Sequence, residues 1–165
     1  MTSTIATTST TSTAELRVRD LMTPNVVSVR PEDSVAAAYE LMLDHRFRHL
    51  VVFDKDGDLV GLLTHRDLLR HSLIERAELP LSLQRSVMRR IRVEEVMTSE
   101  VETAEAGQPL EEAAQVMFEN KYGCLPVVEG SRVVGILTEA DFVRFFALAG
   151  RLPANWTPSA FGRLS

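Results

Sequence analysis

Apolar residues follow two alternating spacings along the chain, and each spacing predicts an element. Val35, Ala38, Leu41 and Met42 recur at intervals of three and four, one face of a helix running to about His45. Pro31-Glu32-Asp33-Ser34 reads as its start, with Asp33 or Ser34 as N-cap. Residues 26–29 ahead of it are short and β-rich. His49–Phe53 and residues 59–63 are compact apolar runs around an Asp56-Gly57 turn, which predicts a hairpin. Thr64 then opens a helix in which Leu68 and Leu69 point inward.

The same order returns further on. Pro109 takes a first-turn position suited to its fixed backbone angle, and Leu110, Ala113, Ala114 and Met117 form the stripe. Residues 125–128 and 132–137 form the hairpin, and Phe142, Val143, Phe145 and Phe146 line the last helix. The match is residue by residue. Val18-Arg19-Asp20-Leu21-Met22-Thr23 aligns with Val93-Glu94-Glu95-Val96-Met97-Thr98 at a shift of 75, which also pairs Met42 with Met117 and Leu50 with Leu125. After the acidic turn the shift becomes 74, pairing Thr64 with Thr138, Asp67 with Asp141 and Arg70 with Arg144. Turns tolerate such length changes.

The chain therefore repeats one unit of roughly 55 residues. It divides into a leader at 1–16, a first unit at 17–72, a linker with a helix over 81–91, a second unit at 93–148 and an extended arm at 149–165. The fold class is α/β (α+β). A single unit would leave an apolar sheet face in water, because Val51, Val52 and Val60 cannot all face one side. Packing two units sheet to sheet covers both faces and creates pseudo-twofold symmetry with clefts between the halves.

Composition and charge narrow the picture. Apolar residues at 45% suffice for an independent core, and the net charge of −5 argues against a nucleic-acid binder held by bulk charge. No run reaches the roughly 18–20 apolar residues of a membrane helix. The Ser/Thr-rich start has neither a basic nor an apolar segment, so it reads as a disordered leader rather than a secretory signal. A single cysteine, Cys124, fits a cytoplasmic, reducing setting and reads as a small buried apolar residue. No histidine spacing suggests a metal, and no nucleophile–base pair or P-loop suggests an enzyme.

The repeated stretch Gly-x-x-Thr-x-x-Asp holds the candidate chemistry. Thr64 and Thr138 lie where a strand gives way to a helix, and free N–H groups there favour anions. A carboxylate three residues on accepts two hydrogen bonds at once, as a ribose diol requires. The same pattern also serves as a plain helix cap, with no ligand.

Leu21-Met22-Thr23, Leu125-Pro126-Val127-Val128 and the two Gly-x-x-Thr-x-x-Asp stretches together resemble a tandem pair of CBS domains, over about residues 18–144. The resemblance implies β-α-β-β-α units and up to two clefts for adenosine-containing ligands. AMP, ADP or ATP is expected as a regulatory ligand, ahead of S-adenosylmethionine or NAD, with no obligatory cofactor. It further implies a homodimer and a regulated partner protein, with no catalytic residues. A ligand-free dimerisation adaptor is the alternative.

Asp67 and Asp141 inherit the ribose role. In the resembling pattern the two residues before the leucine of each central strand face the phosphates, so Arg48 and His49, with His65 and Arg66 in the loop, are expected to suit the Asp67 cleft to phosphate. Gly123 and Cys124, with Glu139 and Ala140, leave the Asp141 cleft neutral or acidic. Cations at a solvated helix end are the alternative for Arg46, Arg48 and His49. The resemblance also implies that base contacts come from the opposite copy: Val101, Thr103, Tyr122 and Gly123 for the Asp67 cleft, and Val27, Val29, Phe47 and Arg48 for the Asp141 cleft. Arg85, Arg89 and Arg90 read as the solvated face of the linker helix, and Trp156 and Phe161 as packing on the body or across a dimer.

Overall fold

The computed structural model describes residues 16–76 and 81–148, with side-chain surroundings over 16–70 and 85–148. The leader before residue 16, the arm from 149, Trp156 and Phe161 lie outside the described residues. The first unit comprises α1 (Val18–Leu21), β1 (Thr23–Pro24), β2 (Ser28–Val29), α2 (Val35–His45), β3 (His49–Phe53), β4 (Leu59–Thr64) and α3 (His65–Arg76). A linker helix α4 (Leu81–Met88) and a 3₁₀ turn (Val93–Glu95) lead to β5 (Ala104–Glu105), α5 (Leu110–Asn120), β6 (Cys124–Glu129), β7 (Arg132–Thr138) and α6 (Glu139–Leu148).

Local chemistry explains the boundaries. Ser34 caps α2, its hydroxyl accepting from Ala37 N at 3.2 Å. Pro109 stands one place earlier than expected, at the N-cap of α5. It needs no amide donor there, and the next amide, Leu110 N, bonds Leu16 O at 2.9 Å. In the first hairpin Asp54 Oδ1 accepts from the amides of Asp56 and Asp58 at 2.9 Å each, and Gly57 supplies φ +89°. The second hairpin turns tightly through Gly130 at φ +62°. The first turn is one residue longer: Val52 pairs with Gly61, whereas Val127 pairs with Gly135.

Two helical faces differ from expectation. Leu68 is buried, but Leu69 is 43% exposed, because adjacent helix positions diverge by about 100°. Phe142 and Phe145 pack on the second core, while Val143 and Phe146 face outward.

The sheets pack face to face. Val51, Cys124 and Ile136 form the buried seam, flanked by Val26, Phe53, Leu59 and Leu62. Leu50 and Val52 point the other way into the first core, and Leu125 and Val127 into the second. This alternation is the two-residue period of a strand buried on both faces.

The segments that open the two repeats, residues 17–24 and 92–98, termed the leader of each unit, are exchanged between the halves. β1 joins the sheet of the second unit, in the order β1-β7-β6-β5, with Thr23 opposite Ile136. Val18 and Leu21 pack with Leu110, Ala113 and Leu137, and Val18 N bonds Gln108 O at 3.1 Å. Reciprocally, Val93 and Val96 sit in the first core, Val93 N bonds Asp33 O at 2.9 Å, and Thr98 bridges Leu62. Each half is thus completed by the leader of the other unit.

This crossing explains the two glycines of the repeated stretch. A Cβ at Gly135 would meet Thr23 O at 2.9 Å and Met22 Sδ at 2.6 Å. A Cβ at Gly61 would press on the Met97 thioether and approach Thr98 O at 3.2 Å. A thioether swings aside more easily than a paired carbonyl. Gly135→Ala is therefore expected to destabilise by about 1–3 kcal/mol and Gly61→Ala by less, measured by urea denaturation. Equal or negligible losses would remove the crossing leader as the reason for these glycines.

Candidate functional site

Thr64 ends β4 and caps α3, which begins at His65, one residue later than the helix expected from the sequence. Its amide and hydroxyl both donate to Asp67 Oδ2, at 2.9 and 2.6 Å, and Asp67 N donates back to Thr64 Oγ1 at 3.2 Å. In the second copy the Thr138 amide and hydroxyl likewise donate to Asp141 Oδ2, at 2.8 and 2.7 Å. Cap and ligand readings are compatible, because the reciprocal box occupies only one carboxylate oxygen.

The second oxygen separates the copies. Among the described residues Asp67 Oδ1 has no hydrogen-bond donor, and its residue is half-buried. Asp141 is 3% exposed, and its Oδ1 accepts from the Thr23 hydroxyl at 3.1 Å, with Arg144 Nη1 3.9 Å away. Neither Thr23 nor Arg144 was singled out in the sequence as part of a site. Thr23 belonged to a duplicated Met-Thr pair, but only the exchanged topology brings it to Asp141.

The helix N-termini are less open than expected. Thr64 N and Asp67 N are engaged in the box, and His65 N bonds Arg48 O at 2.9 Å. In the second copy Glu139 N bonds Gly123 O at 3.1 Å. Any phosphate at the Asp67 cleft therefore depends on side chains more than on amides.

Those side chains gather around His49. A Cβ at Gly123 would lie 3.2 Å from His49 Nε2 and 3.9 Å from Glu139 Oε2, so the glycine makes room for the imidazole beside the opposite half. Burial first, then Arg48, pushes the His49 pKa below 6.5, against opposing pulls from Glu139 and Asp67. Arg66 adds a smaller downward push. The Cys124 thiol is pushed up to about 12, chiefly by burial and further by Glu139 and Asp67. Cys124 is thus a buried neutral thiol at the seam. Glu139 and Asp67, from different units, both act at this centre.

The remaining expected residues are more scattered. The His65 ring stacks on Tyr39 with centroids 6.0 Å apart, and Phe47 stacks on His45 at 5.6 Å. Phe47 and Tyr122 are each 40% exposed at equivalent positions. Val101 and Thr103 are half-buried ahead of β5. The pair Val27 and Val29 is corrected by one residue. Val52 pairs with Val29 and Val127 with Ala104, so the equivalents of Val101 and Thr103 are Val26 and Ser28. Val27 and Val29 pack on the first core, since a one-residue slip reverses every side chain of a strand.

Among the described residues no group of three or more His, Cys, Asp or Glu is placed to hold a metal, and no helix is long and apolar enough to cross a membrane. Residues 18–74 and 93–148 each match the CBS domain model. The chain belongs to the CBS-domain family, and its two matched segments form a CBS domain pair. An uncharacterized protein of Methanocaldococcus jannaschii is 34% identical over 134 residues, covering 79% of this chain and 47% of that protein. The chain thus spans about half the length of that relative. Among solved structures, CBSX2 in complex with AMP is 32% identical with a TM-score of 0.65, covering 82% of this chain and 98% of that one. The CBS domain pair of protein MJ0100, in complex with 5′-methylthioadenosine and S-adenosyl-L-methionine, is 27% identical with a TM-score of 0.67, covering 80% and 96%.

His49 sets an acid limit on stability. Its folded pKa lies below the unfolded value of 6.5, so the unfolded chain takes up the proton first. Stability is full above that value and is lost as pH falls towards the folded pKa. Between about pH 7 and about pH 5 the denaturation midpoint of wild type is expected to fall more than that of His49→Gln. Parallel profiles would exclude His49 as a source of the acid sensitivity.

Proposed function

We propose that this CBS pair is a regulatory sensor of an adenosine-containing ligand, bound at the Asp67 cleft and signalling to a partner protein through the packing of the halves. One observation carries the reading: Asp67 presents an oxygen that no described residue occupies, while the equivalent oxygen of Asp141 already accepts from Thr23. A ribose diol is the complementary donor. The ligands named with the two solved relatives, AMP, 5′-methylthioadenosine and S-adenosyl-L-methionine, share adenosine as their common part. Arg48, His49 and Arg66 on one side favour a phosphate-bearing member, AMP, ADP or ATP. Glu139 nearby disfavours a long anionic tail, which ranks AMP first. Thr64 positions Asp67, and Val101, Thr103, Tyr122 and Gly123 form the adenine side. For the Asp141 cleft the corresponding groups are Thr138, Asp141, Phe47 and the corrected Val26 and Ser28. The site is a binding site with no catalytic role, in a cytoplasmic protein.

Calorimetric titration tests this with AMP, ADP, ATP, S-adenosylmethionine and NAD. AMP is expected to bind saturably, and Asp67→Ala to weaken it about 10-fold or more, given roughly 1.5–3 kcal/mol for hydrogen bonds to a charged group. Unchanged affinity in Asp67→Ala would end the ribose assignment.

A homodimer accompanies this function. Exposed apolar residues recur at equivalent places: Leu43 with Phe118, and Leu69 with Val143. A patch repeated by the pseudo-twofold axis suits isologous pairing with a second copy. The same patch favours the dimerisation adaptor if no ligand binds. Phe118→Glu combined with Val143→Glu is expected to shift the sedimenting mass from dimer to monomer. A monomeric wild type would refute the pairing.

A further inference from the structure

The two units present unlike outer faces at equivalent positions. In the first unit this face runs over α2, residues 46–48 and the first turns of α3, with the His65 ring of α3 stacked on Tyr39 of α2. Its exposed charges are Arg46, Arg48, Arg66 and Arg70 against Glu40 and Asp44. Among the described residues none of these arginines forms a salt bridge. In the second unit the matching stretches of α5 and α6 expose Glu111, Glu112, Glu119 and Glu139 against Lys121 alone. Asp141 is buried with Arg144 3.9 Å away, so that pair is balanced internally. The first face is net basic and the second net acidic, a split that the overall charge of −5 conceals. Aromatic groups divide the same way. Phe118 and Phe146 stand 75% and 68% exposed on the acidic face, whereas the basic face offers Leu43, Leu69 and a Phe47 already stacked on His45. Lys121 Nζ lies 4.4 Å from the centre of the Phe118 ring, so that ring already attracts a cation.

We infer that two copies of the chain pair head to tail, the basic face of each first unit seated on the acidic face of the other copy's second unit. The inference rests on the homodimer proposed above and fixes its orientation; it is independent of which ligand binds. Isologous pairing allows two arrangements. Head to head sets each face on its own duplicate, so arginines meet arginines at one contact and glutamates meet glutamates at the other. Head to tail sets opposite charges together at both contacts. Like charges brought together across an interface suppress the wrong arrangement, and complementary faces fix the register. Guanidinium groups also stack on aromatic rings, and only head-to-tail pairing brings the arginines of one copy to the Phe118 face of the other.

Cross-linking reads the orientation. Leu43→Cys and Phe118→Cys chains are prepared separately and co-expressed, and each sample is treated with a short bifunctional thiol reagent. Wild type is the blank, because its one cysteine, Cys124, is buried with its pKa pushed up to about 12. Covalent dimer is expected only in the co-expressed sample. Covalent dimer from either variant alone overturns head-to-tail pairing, and a sedimenting dimer that cross-links in no sample overturns the use of these faces. Charge reversal tests the cause and leaves the apolar groups in place. Arg46→Glu with Arg70→Glu, and Glu111→Arg with Glu119→Arg, are each expected to weaken dimerisation about 10-fold or more, and all four changes in one chain to restore it. A head-to-head dimer gains no complementary contact from the fourfold variant, so failure to restore overturns the orientation. Sedimentation of wild type separates the two readings: a monomer refutes the homodimer and the inference with it, whereas a dimer with the wrong cross-link refutes only the orientation.

Discussion

The reciprocal exchange of leaders is the constraint on which the rest of the structure depends. Val18 and Leu21 complete the second core, and Val93 and Val96 complete the first. Fully burying one such side chain stabilises by roughly 1.5–3 kcal/mol. Withdrawing a leader therefore opens a core in the opposite half. The halves are bound by this exchange as well as by the seam of Val51, Cys124 and Ile136. Glycine in β4 and β7 is the local requirement, since each leader crosses its strand at that residue.

The same crossing shapes the candidate site. Each leader passes the strand that delivers a Thr-x-x-Asp box to its helix, and by this crossing Thr23 reaches Asp141. The box consumes one carboxylate oxygen and leaves the other to its surroundings. In one cleft those surroundings are open, and in the other they contain Thr23. Two nearly identical motifs thereby become unequal without any change in the motif itself. Charge reinforces the difference, because Arg48, Arg66, Asp67 and Glu139 all act on His49 at the centre between the clefts.

Much of this was legible in the sequence because it is local or periodic. The duplication, both hairpins, a cap at Asp33 or Ser34 and the apolar stripes of α2 and α5 follow from spacing alone, as does the need for sheet-to-sheet packing. Asp67 and Asp141 stood out because they recur at fixed distance from Gly and Thr. Leader exchange was not legible: two equivalent leaders satisfy the same pattern whether each stays in its own unit or crosses over. The placement of Val26 and Ser28 over Val27 and Val29 required the register, which short two-residue strands barely encode. Leu69 and Val143 read as core by composition, yet their helices bury the neighbouring positions instead. Thr23 reaches Asp141 across 118 positions, and no local signal specifies such a pair.

Leader exchange also orders events during synthesis. The first half receives its missing leader at residues 93–97, soon after its own strands are made. The second half requires residues 18–24, which leave the ribosome among the earliest of the described chain. At 5–20 residues per second, the 118 positions separating Thr23 from Asp141 correspond to a wait of roughly 6 to 24 s. For that interval Val18, Leu21 and Met22 have no seat. The earlier-made of the two leaders is then the later to dock, and the half that closes latest is the one whose acid Thr23 contacts.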